Sequence, residues 1–286
     1  MNTRPTAQAR KTSSRAWLAK LVAALIIFHS AAALSDDSQE FSRLPWRKHR
    51  LDFNLGIFFP TIASSVRLES ESGLIGGRID LEEEAKLDGF EKVIYLDGTF
   101  RIADRHALNF GYFELNRNGT AIASAEIPFG DISIGANARF DTEFDTKVLR
   151  LGYEYAILIR DTWELALLAG VHFTSLDVSV NSETLGVSES ASAEAPLPTL
   201  GFKNYFSYTD DLYLKLAVEW ISLDIENIAG TITNLTAVIQ YNFNKNIGVG
   251  GGYVSFDIGI DETPSSDNIT GSYLYRGPLL YLNVGF

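Results

Sequence analysis

The chain has 286 residues, with 24 Lys and Arg against 36 Asp and Glu for a net charge of −12, no cysteine and a single methionine. Without cysteine there is no disulfide, no thiol nucleophile, no thiolate metal site and no residue to carry a lipoprotein anchor. A chain this acidic is a poor partner for nucleic acid, which needs clustered Lys and Arg to displace counterions.

The first 35 residues read as a secretory signal peptide. Arg4, Arg10, Lys11, Arg15 and Lys20 form a basic start without an acid, "LVAALIIFHSAAAL" supplies a short apolar run, and the alanines at 31–33 suit cleavage. A membrane-spanning helix needs roughly 20 apolar residues, and this run is shorter and broken by His29 and Ser30. Removing the leader leaves 19 basic against 36 acidic residues, a net charge of −17. Residues 36–49 are expected to form a short periplasmic segment, and 50–286 the folded domain.

From residue 95 onward one hairpin plan recurs four times, at 95–115, 149–173, 200–220 and 238–256. Each copy is an alternating strand, a tight polar turn (ADR, RDT, TDD or NKN) and a second alternating strand. Asp and Asn favour such turns because their side chains bond the local backbone and tolerate left-handed conformations. The connections between copies, near 118–144, 181–196, 226–230 and 261–270, are richer in Ser, Gly, Asp and Glu and read as longer loops. A first strand at 50–59, a loop at 69–91 and a last strand at 272–286 complete ten strands with both ends on the short-turn side. The stretch 120–144 leaves eight or twelve strands open. It is either an extended hairpin above the membrane or two more spanning strands.

The alternation carries two further features. One parity is apolar throughout, as in Leu149, Leu151, Tyr153, Tyr155 and Ile157, while the other mixes glycine with charge, as in Arg150, Gly152 and Glu154. Aromatic residues also flank the apolar runs. Trp163 and Phe173 are ten residues apart, which at ~3.3 Å per residue and ~40° tilt spans about 25 Å, the height of an outer-membrane apolar band. These features predict an all-β, transmembrane, antiparallel up-and-down β-barrel.

The sequence resembles the outer-membrane β-barrel proteins of Gram-negative bacteria over nearly all of residues 50–286. The sharpest motif is the last strand, "LLYLNVGF", with Leu280, Leu282, Val284 and Phe286 on the apolar parity and Pro278 departing from it. The resemblance implies residence in the bacterial outer membrane among lipid and lipopolysaccharide, recognition of Phe286 by the barrel-assembly machinery, and a monomer.

The parity places ten ionisable groups in the lumen: Asp52, Asp97, Glu154, Glu164 and Glu219 against Arg101, Arg150, Lys203 and Lys215, with His172 beside them. Near-balanced charge fits two readings. One is a porin-like narrow channel passing small solutes through a charged lumen. The other is a filled interior whose salt network is structural, with a structural, adhesive or ligand-binding role carried by acidic extracellular loops. A third reading, an outer-membrane enzyme using His172, rests on a distant likeness of "HFT" to lipid A deacylases and of the strand count to omptin proteases. It lacks a serine at Thr174, and Asp177 falls on the wrong parity. The expectation is therefore no catalytic residue, no metal and no cofactor. The acidic run Asp80, Glu82, Glu83, Glu84 and Asp88 reads as a solvated loop.

Overall fold

In the computed structural model, the described residues are 44–68, 78–129, 132–182, 184–225, 228–262 and 269–286; the leader at 1–35 lies outside them. The fold is a closed antiparallel barrel of ten strands. In chain order the strands are β1 (Leu51–Phe58), β2 (Thr61–Leu68), β3 (Arg78–Asp80), β4 (Val93–Ala103), β5 (His106–Ile122), β6 (Ile127–Phe129) and β7 (Ile132–Ile134). They continue as β8 (Arg139–Ile159), β9 (Trp163–Ser182), β10 (Val187–Ser207), β11 (Leu212–Ile225), β12 (Ile228–Asn242), β13 (Ile247–Glu262) and β14 (Ile269–Gly285). The barrel runs β1-β4-β5-β8-β9-β10-β11-β12-β13-β14 and closes by pairing β1 with β14 from Asp52↔Gly285 to Phe58↔Leu279. Closure removes the unpaired edges that an open sheet would present.

Beyond Pro60 the chain resumes as β2, which stays on β14 through Ile62↔Tyr275 and Ser64↔Tyr273 and carries β3 on its other side. Residues 120–144 do not add spanning strands. There β5 and β8 run on as one pair to Ile122↔Arg139, and the small β6–β7 hairpin forms a separate sheet between them.

All four tight turns fall where the sequence places them, and two show the side-chain chemistry that makes them. Thr209 Oγ1 accepts the backbone N–H of Asp211 and Leu212, at 3.3 and 3.0 Å. Asn244 Oδ1 accepts those of Asn246 and Ile247, at 2.9 and 3.0 Å.

The opposite ends differ from the expected long loops. β9 continues to Ser182 and β10 resumes at Val187, so most of 181–196 is strand, and β11 and β12 meet at Ile225↔Ile228. The cause is a change of phase within the strands. In β8, Leu149, Leu151 and Tyr155 face out below, whereas Phe140, Phe144 and Val148 are buried inside above, with Asp141, Glu143 and Lys147 outside. The polar residues of the upper stretches are thus the outer face of a sheet rather than a loop. At ~3.3 Å per residue and ~40° tilt, the 21 residues of β8 reach about 50 Å, twice a ~25 Å apolar band.

The upper interior is an aromatic core. Phe256 stacks on Tyr275 at 4.8 Å, Phe113 meets the same ring edge-on at 5.0 Å, and Phe144 lies 5.6 Å from Tyr273. β4 begins at Val93 while β5 continues upward, and residues 81–89 pack on the inward face of β5 at that height. Leu81, Ala85 and Leu87 are buried there, and Gly119 has to be glycine because a Cβ would stand 2.5 Å from the Ala85 carbonyl oxygen. The acidic loop is therefore not wholly solvated. Glu82 accepts the Arg117 guanidinium at 2.5 Å and the Ser64 hydroxyl at 2.7 Å.

Candidate functional site

The lumen of the lower half holds a polar column in three tiers. The lowest lies in the mouth at the short-turn end, where a 3-10 turn at Pro45–Arg47 folds in beneath the barrel wall. Trp46 is 2% exposed, stacks on Tyr205 at 5.1 Å and tilts against Tyr213 at 5.5 Å. Its indole N–H donates to Glu164 Oε2 at 2.5 Å, and Arg47 forks onto the same carboxylate at 2.6 and 2.9 Å. Arg101 donates twice to the Trp46 carbonyl oxygen, at 3.1 and 2.9 Å. The segment also ties the hairpin turns together: Arg47 bonds the Asp104 carbonyl, Lys48 the Asp210 carbonyl at 2.7 Å, and His49 the Lys245 carbonyl. We call this segment the stopper.

Glu154 and Lys203 form the second tier. Both are buried and 2.9 Å apart, and Asn109 joins them by donating to Glu154 at 3.1 Å and accepting from Lys203 at 2.8 Å. Charge buried in this way is tolerable because the two are paired with each other and share the Asn109 amide.

The third tier surrounds a cavity of about 70 Å³ whose lining includes Asp97, Arg150, His172, Lys215 and Glu219. Lys215 stands 3.7 Å from Asp97, which also accepts Asn54 Nδ2 at 3.0 Å. Glu219 accepts Asn234 Nδ2 at 2.7 Å and lies 3.6 Å from His172 Nε2. His172 is 1% exposed and stacks on Phe256 at 5.5 Å, where the polar column meets the aromatic core. Arg150 donates to the Tyr95 hydroxyl at 2.5 Å and lies over that ring. Asp52 is half-buried toward the mouth, opposite Thr99 and Gly285.

All ten ionisable groups assigned to the lumen therefore stand on the inward face, and the fold gathers them unevenly. Glu164 joins Arg101, Glu154 joins Lys203, Asp97 joins Lys215, and Glu219 faces His172. Thr174 shares the inward face with His172, while Ser175 bonds the outward Asp177 at 3.3 Å. Among the described residues no group of three or more His, Asp or Glu side chains is placed to hold a metal ion.

Sequence reasoning passed over Trp46 and Arg47, because "WRKHR" reads as a basic flank at the membrane edge and its partner Glu164 is 117 positions from Arg47. It also passed over Arg117, buried among Glu82, Phe144 and Tyr273 in the upper half. A lone arginine at an inward position, with Leu115 and Gly119 on the same parity, was the available signal.

A closed barrel with a lipid-facing apolar band, aromatic girdles and a polar lumen defines the class: this is a bacterial outer-membrane β-barrel protein. No protein-family model and no curated protein matches the sequence. Among solved structures it is similar to the outer membrane protease OmpT from Escherichia coli at 10% identity, over 82% of this chain and 97% of that one, with a TM-score of 0.48. The transport unit of the autotransporter AIDA-I from Escherichia coli gives 8% identity, 93% and 97% coverage and a TM-score of 0.42. The Pseudomonas putida toluene transporter TodX gives 8%, 90% and 95%, and 0.33. Likenesses this distant carry no role to this chain, and the barrel stands on its own register and closure.

Proposed function

We propose that this protein is a closed barrel, anchored in the outer membrane by its lower half, whose work is structural, adhesive or ligand-binding and is carried by the extracellular extension of the strands. The observation behind this reading is the aromatic packing of Phe113, Phe144, Phe256, Tyr273 and Tyr275 across the interior above the charged tiers. Rings packed at these separations narrow the interior, and the stopper packs into the opposite mouth; both support a barrel that does not conduct. Outer-membrane lipid and lipopolysaccharide are the proposed surroundings of the apolar band, and Phe286, exposed at the end of β14, is the proposed recognition point for assembly.

The narrow-channel reading draws on one observation, the charged cavity of the third tier. Planar-bilayer recording of refolded protein separates the two. The closed barrel predicts silence; reproducible conductance steps that change in Arg150→Ala would overturn it. The same proposal gives His172 a packing role between Glu219 and Phe256 rather than a catalytic one. Mass spectrometry of lipid A from cells with and without the protein is expected to show the same acyl pattern.

A further inference from the structure

One strand edge in the extension has no partner among the described residues. The pairing of β4 with β5 ends at Tyr95↔Phe113, while β5 runs on along β8 to Ile122. The chain leading into β4 keeps to β2 instead: the Gly89 carbonyl accepts the Ile62 N–H at 2.9 Å, and Phe90 bridges Thr61. Residues 85 and 86 lie against the inward face of β5 at Gly119, and no backbone hydrogen bond joins them to it.

The register shows which groups are left open. The Arg105 carbonyl accepts the Ala156 N–H at 2.8 Å, and the Ala123 N–H donates to the Ala138 carbonyl at 2.9 Å. Between those points the β5–β8 register is unbroken, and successive residues of a strand turn their backbone groups to opposite sides. Odd-numbered residues of β5 therefore serve β8, and the N–H and C=O groups of Asn116, Asn118, Thr120 and Ile122 point away from it. Among the described residues nothing bonds them on that side.

An edge left in water is normally blunted by lysine, proline or a bulge. Here Asn116, Asn118 and Thr120 are exposed, short and neutral. Directly across the sheet from them stand Asp145, Glu143 and Asp141, with Lys147 below and Arg139 above. A strand added to the free edge would lie about 10 Å from β8, two spacings of ~4.8 Å. Arginine and lysine side chains span that distance over the short residues between.

We propose that the free upper edge of β5 docks an extended basic segment of a partner protein, which adds to the wall of the extension as a further strand. Its backbone takes up the open N–H and C=O groups of Asn116, Asn118, Thr120 and Ile122, and its outward cations meet the β8 carboxylates. The inference rests on the reading of the extension as the working part of the molecule and gives that reading a mode of binding.

The probe is a short peptide alternating arginine with threonine, added to protein refolded in an uncharged detergent and followed by amide exchange. In the free protein the amides of Asn116, Asn118 and Thr120 should exchange faster than those of Leu115, Arg117 and Gly119. The peptide should slow the first set about tenfold or more. The same peptide N-methylated on alternate amides keeps its charge but cannot form the ladder, and should protect nothing. Asn118→Pro removes one open N–H without touching the β8 pairing and should weaken binding about tenfold. Glu143→Arg keeps the edge, removes its complementary charge and should also weaken binding, so it reports even if Asn118→Pro fails to fold. Absence of protection at millimolar peptide would overturn the proposal, as would equal binding by the N-methylated peptide. Conductance through the barrel would instead overturn the closed-barrel reading and leave the exchange result standing, so the two failures are distinct.

Discussion

The two halves of this barrel are built from the same strands with opposite hydropathy. Below, Leu151, Leu167 and Leu282 face out while Glu154, Lys203 and Gln240 are buried inside. Above, Ile232, Phe256 and Ile258 are buried inside while Glu143, Asp177 and Asp257 are outside. A strand cannot rotate to suit its surroundings, because side chains alternate with a strict period of two. The sequence changes phase instead. The lesson is that the outer solvent decides which parity is apolar: lipid for one half, water for the other. The lower half gains nothing from burying apolar side chains on its lipid face and holds its interior by charge, whereas the upper half has the core of a soluble protein.

If that contrast is right, the most damaging change in the lower half removes a charge that others depend on. Glu164→Ala removes the acceptor shared by Arg47 and the Trp46 indole and the carboxylate that faces Arg101 at 4.0 Å. Breaking a buried ion pair from one side costs ~3–5 kcal/mol, read as lowered resistance to urea in lipid vesicles. Red-shifted Trp46 fluorescence should accompany it as the stopper leaves the mouth. An unchanged midpoint would mean that the stopper does not hold this end.

The upper half should instead be sensitive to lost volume. Ile258→Ala, at a side chain that is 1% exposed, opens a cavity in a packed core and is expected to cost about 2–5 kcal/mol. Were that extension a loose collar of loops, the same change would pass unnoticed.

The contrast also explains what could be read from the residues alone. Ten strands, four turns, the closing pair and the inward parity of the lower half all follow from alternation, because there the apolar face is continuous. The upper half was readable in principle. Adjacent apolar residues at Val148–Leu149 and Leu279–Leu280 mark the change of phase, and Leu176, Val178 and Val180 continue β9 on the new parity. Reading one phase per strand turns everything beyond such a junction into a polar stretch, and polar stretches look like loops. Which lumen charges meet was not readable. Parity gives a side, but the partner of Arg47 depends on the chain folding back into its own mouth, and the meeting of Glu154 with Lys203 depends on distances across the barrel.

Charge placed on the outer face should discriminate between the halves directly. Leu151→Arg puts a guanidinium into the lipid-facing band, for which ~2–4 kcal/mol is expected near the bilayer midplane. Reduced insertion into vesicles and a smaller heat-modifiable gel shift would report it. A neutral outcome would mean that this face does not meet lipid.

The smallest effect should come from the same kind of change eight residues earlier on the same strand and face. Glu143 is exposed, with Asn118 and Ser179 as its neighbours across the sheet. Glu143→Arg reverses its charge in water, where substitutions away from specific contacts stay within about 0.5 kcal/mol. It also reduces the crowding of carboxylates around Asp141, Asp145 and Asp177, so a slight gain in stability at low ionic strength is expected, fading as salt screens the exterior. Equal costs at positions 143 and 151 would remove the boundary between the halves. A large cost at 143 alone would show that the acidic outer face is itself occupied by a partner.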